Sequence, residues 1–261
     1  MGKPVNVRTT AAKAASAERK YYGVHACQAV WEQRREDIVK VYLLQSLLKT
    51  FGPLLSWCAK AKRAYKIVEV QDLDKLTKSV HHEGVCLIAR APSKVIFPEI
   101  RDELIARDGC ALYLDGVSNP HNFGSIMRVC AHFGVKYVMG MEGELPSASG
   151  SVGRVAQGAA EAVTRVPLPK PAFALTTLQK SGYKIVAAEV KRGTSLFRYR
   201  FSPKTIICLG AEQYGVSGSI RALADSSVFI PGTGNVDSLN VAAACSIMLA
   251  EYWRQMEQKR A

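Results

Sequence analysis

Apolar positions along this chain alternate between helical and strand spacing, and that alternation predicts an α/β protein. Val24, Cys27, Val30 and Trp31 recur at helical spacing, and Val39-Lys-Val-Tyr-Leu-Leu44 follows as a short apolar strand. Leu47 to Lys62 reads as a helix, Tyr65 to Val70 as a strand, Asp72 to Ser79 as a short helix and Val85 to Ala89 as a third strand. Residues 21–91 therefore predict one small α/β domain. Residues 92–108 read as a linker carrying an amphipathic turn or two. Beyond it, Cys110–Leu114, Tyr137–Met139, Ile185–Ala188, Thr205–Leu209 and Val228–Ile230 are apolar strands with helical stretches between them. Near-continuous apolar strands alternating with helices predict a parallel sheet covered on both faces, spanning 109–261. Residues 1–20 hold no large apolar side chain besides Val5, Val7 and Met1, and predict a basic, disordered arm able to add phosphate contacts.

Composition changes this picture in one respect. With 48% hydrophobic residues among 261, the chain can build a core without disulfides or a structural metal. Its formal net charge of +13, however, favours a polyanionic partner. Residues 1–92 hold 16 basic and 8 acidic side chains, against 19 and 14 in residues 93–261, so the N-terminal part is the more densely basic. No apolar run approaches the ~18 residues that span a bilayer, and the first twenty residues lack a secretory pattern. Seven scattered cysteines without a C-x-x-C read as reduced core residues of a cytoplasmic protein. The adjacent pair His81-His82 would point apart in a strand, so no metal site is expected.

Candidate chemistry gathers in three loops rich in Gly, Asn and Ser, each joined to an apolar strand. In open α/β sheets, ligands bind in loops beyond the carboxyl ends of the strands. The first loop runs Asp115-Gly-Val-Ser-Asn-Pro-His-Asn-Phe-Gly124, with a helix expected to begin near Asn122. Arg128 follows Gly124 by one helical turn, beside what reads as a glycine-lined opening suited to a phosphate. The second loop is Leu209-Gly-Ala-Glu-Gln-Tyr-Gly-Val-Ser217, where Gly210 permits close approach and Glu212 needs a partner. The third, Ile230-Pro-Gly-Thr-Gly-Asn-Val-Asp-Ser-Leu-Asn-Val241, leads into a long helix that Asp237 or Ser238 could cap. Generic templates fail. Gly232-Thr-Gly234 lacks the third glycine and the ribose-binding acid of a dinucleotide site, and Ser217 sits in no nucleophile elbow. Spacing alone yields an α/β protein with a Gly-rich pocket and a preference for polyanions.

Together the loops resemble the three signature motifs of the SpoU (TrmH-like) methyltransferases. Asn119-Pro-x-Asn122-x-Gly124-x-x-x-Arg128 resembles the first, Gly210-x-Glu212-x-x-Gly215-Val the second, and Ile230-Pro-x-x-Gly234-x-x-Ser238-Leu-Asn240-Val the third. Tyr22-Gly-Val-His-Ala-Cys-Gln-Ala and His82-Glu-Gly-Val-Cys resemble the family's ribosomal-protein-like RNA-binding domain. The third motif departs from many relatives, which carry a methionine after the proline.

The resemblance implies a deep trefoil knot in the C-terminal domain, a homodimer, and S-adenosylmethionine as methyl donor to a ribose 2′-hydroxyl of tRNA or rRNA. It places the cofactor against Leu209, Gly210, Ile230, Gly234, Ser238 and Leu239. Asn122, Arg128, Glu212, Ser238 and Asn240 form the catalytic and RNA-facing group. Arg128 reads as a phosphate clamp rather than a base, since guanidinium stays protonated. Glu212 would hold Arg128 or Asn122 in place. Two other readings stand beside this one: a non-catalytic RNA-binding or ribosome-assembly protein on the same fold, and a nicotinamide-dependent enzyme.

Overall fold

Residues 17–148 and 150–259 are described in the computed structural model, and two separate sheets organise them. The first part of the chain runs β1 (Glu18–Tyr22), α1 (Val24–Arg34), β2 (Ile38–Leu43), α2 (Gly52–Lys60), β3 (Ala64–Ile67), α3 (Val70–Thr77) and β4 (Val85–Arg90). Its four strands lie in the order β1-β4-β2-β3, with β4 antiparallel to β1 and β2, and β3 parallel to β2. Helices α1 and α2 close one face, burying Cys27, Val30, Leu54 and Cys58 against Val41, Leu43 and Leu87. The expected helix over 47–62 begins later, at Gly52, because Pro53 is tolerated only in a first turn. The strand expected over 65–70 stops at Ile67, since Glu69 and Asp72 form a capping box that starts α3 at Val70. The arm expected over 1–20 also ends sooner. Glu18, Arg19 and Lys20 belong to β1, and residues 1–16 lie outside the described residues.

The rest of the chain runs α4 (Phe97–Ala106), β5 (Gly109–Asp115), α5 (Pro120–His132), β6 (Tyr137–Met141), α6 (Ser151–Ala156), α7 (Ala159–Ala162), β7 (Thr164–Leu168), α8 (Pro171–Lys180), β8 (Lys184–Glu189), β9 (Thr194–Ser195), β10 (Lys204–Gly210), α9 (Gly218–Arg221), β11 (Ser226–Phe229) and α10 (Val241–Gln258). Its seven strands are ordered β7-β6-β5-β10-β8-β11-β9, and every neighbouring pair is parallel. Side chains alternate along each strand, so Leu112 and Leu114 join α5 and α10 in one core while Ala111 and Tyr113 join α4 and α8 in another. The stretch read as a linker is thus mostly a helix. Phe97, Ile100 and Leu104 of α4 are buried, and the Tyr183 hydroxyl donates to the Leu104 carbonyl at 3.1 Å. The strands that periodicity missed, β7 and β9, are the two edges of this sheet, and Pro167 removes a backbone donor from β7.

The two parts meet where α1 packs on α6 and α7. Arg34 of α1 donates to both carboxylate oxygens of Glu161 in α7, at 2.6 and 2.9 Å, and both side chains are nearly buried. Arg34 also donates to the Arg90 carbonyl at 2.7 Å, and the Gly150 amide donates to the Lys20 carbonyl at 2.9 Å. His81 and His82 precede β4 in a turn rather than lying in a strand, and His82 Nδ1 accepts from the Gly84 amide at 2.9 Å. Six cysteines are buried and Cys110 is half-buried; all are free thiols, and burial pushes that of Cys86 up to about 12. Among the described residues no helix is long and apolar enough to cross a membrane.

Candidate active site

Strands β5 and β10 lie side by side at the centre of the larger sheet, with Leu209 opposite Leu114 and Gly210 opposite Asp115. The loops after them therefore leave the sheet together. Asp115 joins them: its carbonyl accepts from the Ala211 amide at 2.9 Å and its carboxylate from the Ser217 amide at 2.7 Å. The chain then folds back, the Gly215 amide donating to the Ala211 carbonyl at 2.8 Å. A Cβ on Gly210 would stand 1.9 Å from the Gly215 carbonyl carbon, so no other residue fits there. Beyond β11 the loop through Pro231 and Asn240 is exposed throughout, and Gly234 takes a φ of 85° within it.

These segments and the end of β8 enclose a cavity of about 980 Å³. That is the upper end of the usual size for a small-molecule site. Leu209, Gly210, Ile230, Gly234, Ser238 and Leu239 all line it, together with Glu212. Its inner wall is apolar, from Ala188, Val228 and Met248, while backbone and hydroxyl groups of the loops edge it.

Three polar side chains meet by the second loop. Asn122 Nδ2 donates to Glu212 Oε1 at 3.0 Å, and Asn240 Nδ2 donates to the same oxygen at 2.7 Å and to Asn122 Oδ1 at 2.9 Å. Each asparagine is placed by a helix start. Asn119 caps α5 by accepting from the His121 amide at 2.8 Å, which sets Asn122 in the first turn. Asn240 itself caps α10, its Oδ1 accepting from the Ala242 amide at 2.9 Å, in place of the expected Asp237 or Ser238. Glu212 thus receives two neutral donors on one oxygen. Among the described residues no donor reaches Oε2.

Arg128 lies apart. It is exposed on α5, neither lines the cavity nor bonds to Glu212, and among the described residues has no ion-pair partner. Gly124 is no opening either, because a Cβ there would meet Val155 Cβ at 2.8 Å and the Val152 carbonyl at 3.0 Å. That glycine lets α5 and α6 pack closely. Glu212 accordingly holds Asn122 rather than Arg128. Residues outside the three loops singled out in the sequence also line the cavity: Glu189, Lys191, Phe197 and Arg221. Arg221 Nε donates to Glu189 at 2.5 Å, and Lys191 to Asp237 at 3.0 Å. Glu189 and Lys191 follow an apolar strand, so the strand-end rule that found the other loops applied to them too. Among the described residues no group of three or more His, Cys, Asp or Glu side chains is placed to hold a metal ion.

Comparison with known proteins identifies the family and the fold. Residues 109–250 match the SpoU rRNA Methylase family, and residues 21–95 match the family described as RNA 2′-O ribose methyltransferase substrate binding. The uncharacterized tRNA/rRNA methyltransferase YfiF of Escherichia coli O157:H7 is 36% identical over 238 residues, covering 91% of this chain and 68% of that protein. The 23S rRNA (guanosine-2′-O-)-methyltransferase RlmB of Shewanella oneidensis is 30% identical over 237 residues, covering 90% of this chain and 96% of the relative. In structure, the SpoU methyltransferase AviRb from Streptomyces viridochromogenes, solved with AdoMet, superposes with a TM-score of 0.75 at 21% identity, over 92% of this chain and 91% of that one.

Proposed function

This chain belongs to the SpoU rRNA methylase family of S-adenosylmethionine-dependent RNA 2′-O-methyltransferases, and from that premise we propose how its own residues divide the work. The observation that carries the reading is the triangle of Asn122, Glu212 and Asn240, with Glu212 on the cavity wall. The cavity suits the cofactor: its apolar wall takes an adenine, and the missing Cβ at Gly210 leaves the turn tight enough for backbone contacts. Leu209, Gly210, Ile230, Gly234, Ser238 and Leu239 would hold S-adenosylmethionine, which supplies a methyl group on a sulfonium.

The triangle then orients the acceptor. Glu212 Oε2 receives the hydrogen bond of the ribose 2′-hydroxyl and draws its proton away as the oxygen attacks. Asn122 and Asn240 keep the carboxylate fixed, so its position costs nothing at the moment of reaction. Arg128, exposed and without an acidic partner among the described residues, clamps an RNA phosphate. The proposal also includes a deep trefoil knot within 109–261, a homodimer and a cytoplasmic location. The family match and the fold likeness support the knot. The exposed apolar side chain of Val236, on the loop that rims the cavity, supports a partner subunit.

Calorimetric titration of S-adenosylmethionine, with and without bulk tRNA or rRNA, tests the reading. Binding followed by tritium transfer into a fractionated RNA is the expected result. Absence of binding, even with RNA present, would overturn it in favour of a non-catalytic RNA-binding role.

A further inference from the structure

The four-stranded sheet has a second face, opposite α1 and α2. Strand register places Lys20, Ile88 and Lys40 in one row across it, and Tyr22, Cys86, Tyr42 and Lys66 in the next. Lys40 reaches this face through a bulge. Ile38 and Lys40 would share a face in a regular strand, but the register shifts between them, so Ile38 enters the core and Lys40 does not. Helix α3 covers only part of the face, through Leu73 and Leu76 against Tyr22, Cys86 and Val68. Beside it lies a hollow of about 340 Å³, floored by Tyr42, Val68 and Leu73 and edged by Lys66 and Lys75.

The charge around that hollow is one-sided. Lys40 Nζ stands 4.8 Å from the centre of the Tyr42 ring, and Lys20 donates to the Leu76 carbonyl at 2.7 Å. Among the described residues, none of Lys20, Lys40, Lys66 and Lys75 is in an ion pair. Asp72 is the one carboxylate lining the hollow, and its Oδ2 is turned to the Glu69 amide. Glu18 lies farther along the face, opposite Arg90. Four uncompensated ammonium groups on a chain of net charge +13 repel one another until a polyanion screens them.

We propose that this open sheet face grips a single-stranded segment of RNA. Backbone phosphates lie on Lys20, Lys40, Lys66 and Lys75, and one unstacked base enters the hollow against Tyr42. The proposal rests on the RNA methyltransferase reading and adds which face of the substrate-binding part, residues 21–95, holds the RNA. A single strand fits better than a duplex because the hollow takes one flat group, and an unpaired base enters without breaking a helix. Strand β1 carries the grip to the active half, since its Lys20 carbonyl bonds to Gly150 beside α6.

Fluorescence anisotropy with the full chain and a labelled, mixed-sequence single-stranded RNA of about 16 nucleotides tests this. Lys40→Glu combined with Lys66→Glu is expected to weaken binding about 25-fold at ~0.1 M salt and to flatten the salt slope by about 1.4. Lys49→Glu with Lys60→Glu, the same charge change on the α2 side, is expected to cost less than about threefold, because those charges are screened from this face. Tyr42→Ala is expected to weaken binding about tenfold with no change in salt slope. Equal weakening by the two lysine pairs would overturn the proposal. If the glutamate pair fails to fold, Lys40→Gln with Lys66→Gln carries the same comparison at a smaller amplitude. Calorimetric S-adenosylmethionine binding separates the two readings: its loss in the wild-type protein counts against the methyltransferase, whereas its retention in both pairs leaves only the grip in question.

Discussion

In the seven-stranded sheet, apolar side chains fill both faces, and the polar groups of the site sit in loops beyond β5, β8, β10 and β11. In the four-stranded sheet one face is closed by helices, and much of the other carries lysines and a tyrosine directly on its strands. A strand buried on both faces cannot present a polar side chain without desolvating it, so the larger sheet moves its chemistry to turns and helix starts. A half-covered strand has no such penalty. The larger sheet should therefore depend on backbone fit, and the smaller one on summed charge.

Gly210→Ala breaks the comparison most severely. With its Cβ forced against Gly215, a loss of about 4 kcal/mol or more is expected in denaturant unfolding, with S-adenosylmethionine binding abolished. A single lysine change on the smaller sheet should leave unfolding within about 0.5 kcal/mol. Next comes Glu212→Ala, expected to slow methyl transfer about 100- to 1,000-fold while the calorimetric cofactor affinity stays within about threefold.

Arg34→Ala tests the joint between the sheets. It strands Glu161 where only 10% of its side chain is exposed, and about 3 kcal/mol of stability should be lost. Adding Glu161→Ala should restore part of it in a double-mutant cycle. The smallest effect is pH-dependent. Burial alone would raise the Asp225 carboxyl, but donors from the Ile185 amide, Gln179 and Lys184 outweigh it and hold its pKa below the usual range. Its stabilisation is therefore present above an ordinary Asp value of about 3.9 and fades as pH falls through the depressed folded value. Wild type and Asp225→Asn should differ in melting temperature at neutral pH and converge in acid.

Much of the larger sheet was legible because its strands are apolar throughout, and all six residues expected around the cofactor line one cavity. Edge strands were not: Thr164 to Leu168 mixes Thr, Arg and Pro, and Glu18 to Tyr22 opens with three charged residues. Their pairing comes from neighbours, which periodicity along the chain cannot display. Gly124 misled for a similar reason. A glycine on a helix reads alike whether it opens toward a ligand or admits a neighbouring helix, and only the position of Val155 decides. Resemblance grouped Asn122, Glu212 and Asn240 with Arg128 and Ser238, but that Asn240 bonds to both Asn122 and Glu212 while Arg128 lies apart became plain only with the fold.

The triangle also has a bearing on biogenesis. Asn122 and Glu212 are 90 residues apart in sequence, and Asn240 lies 28 beyond Glu212. Strands β5 and β10, whose following segments carry the first two, can pair only after the intervening chain has been made and placed. A nascent or partly collapsed chain thus has no complete pocket, and the methyl donor recognises only molecules whose long-range pairing is finished. Added to refolding protein, it would act as a selective trap for the mature state and mark the last step of assembly.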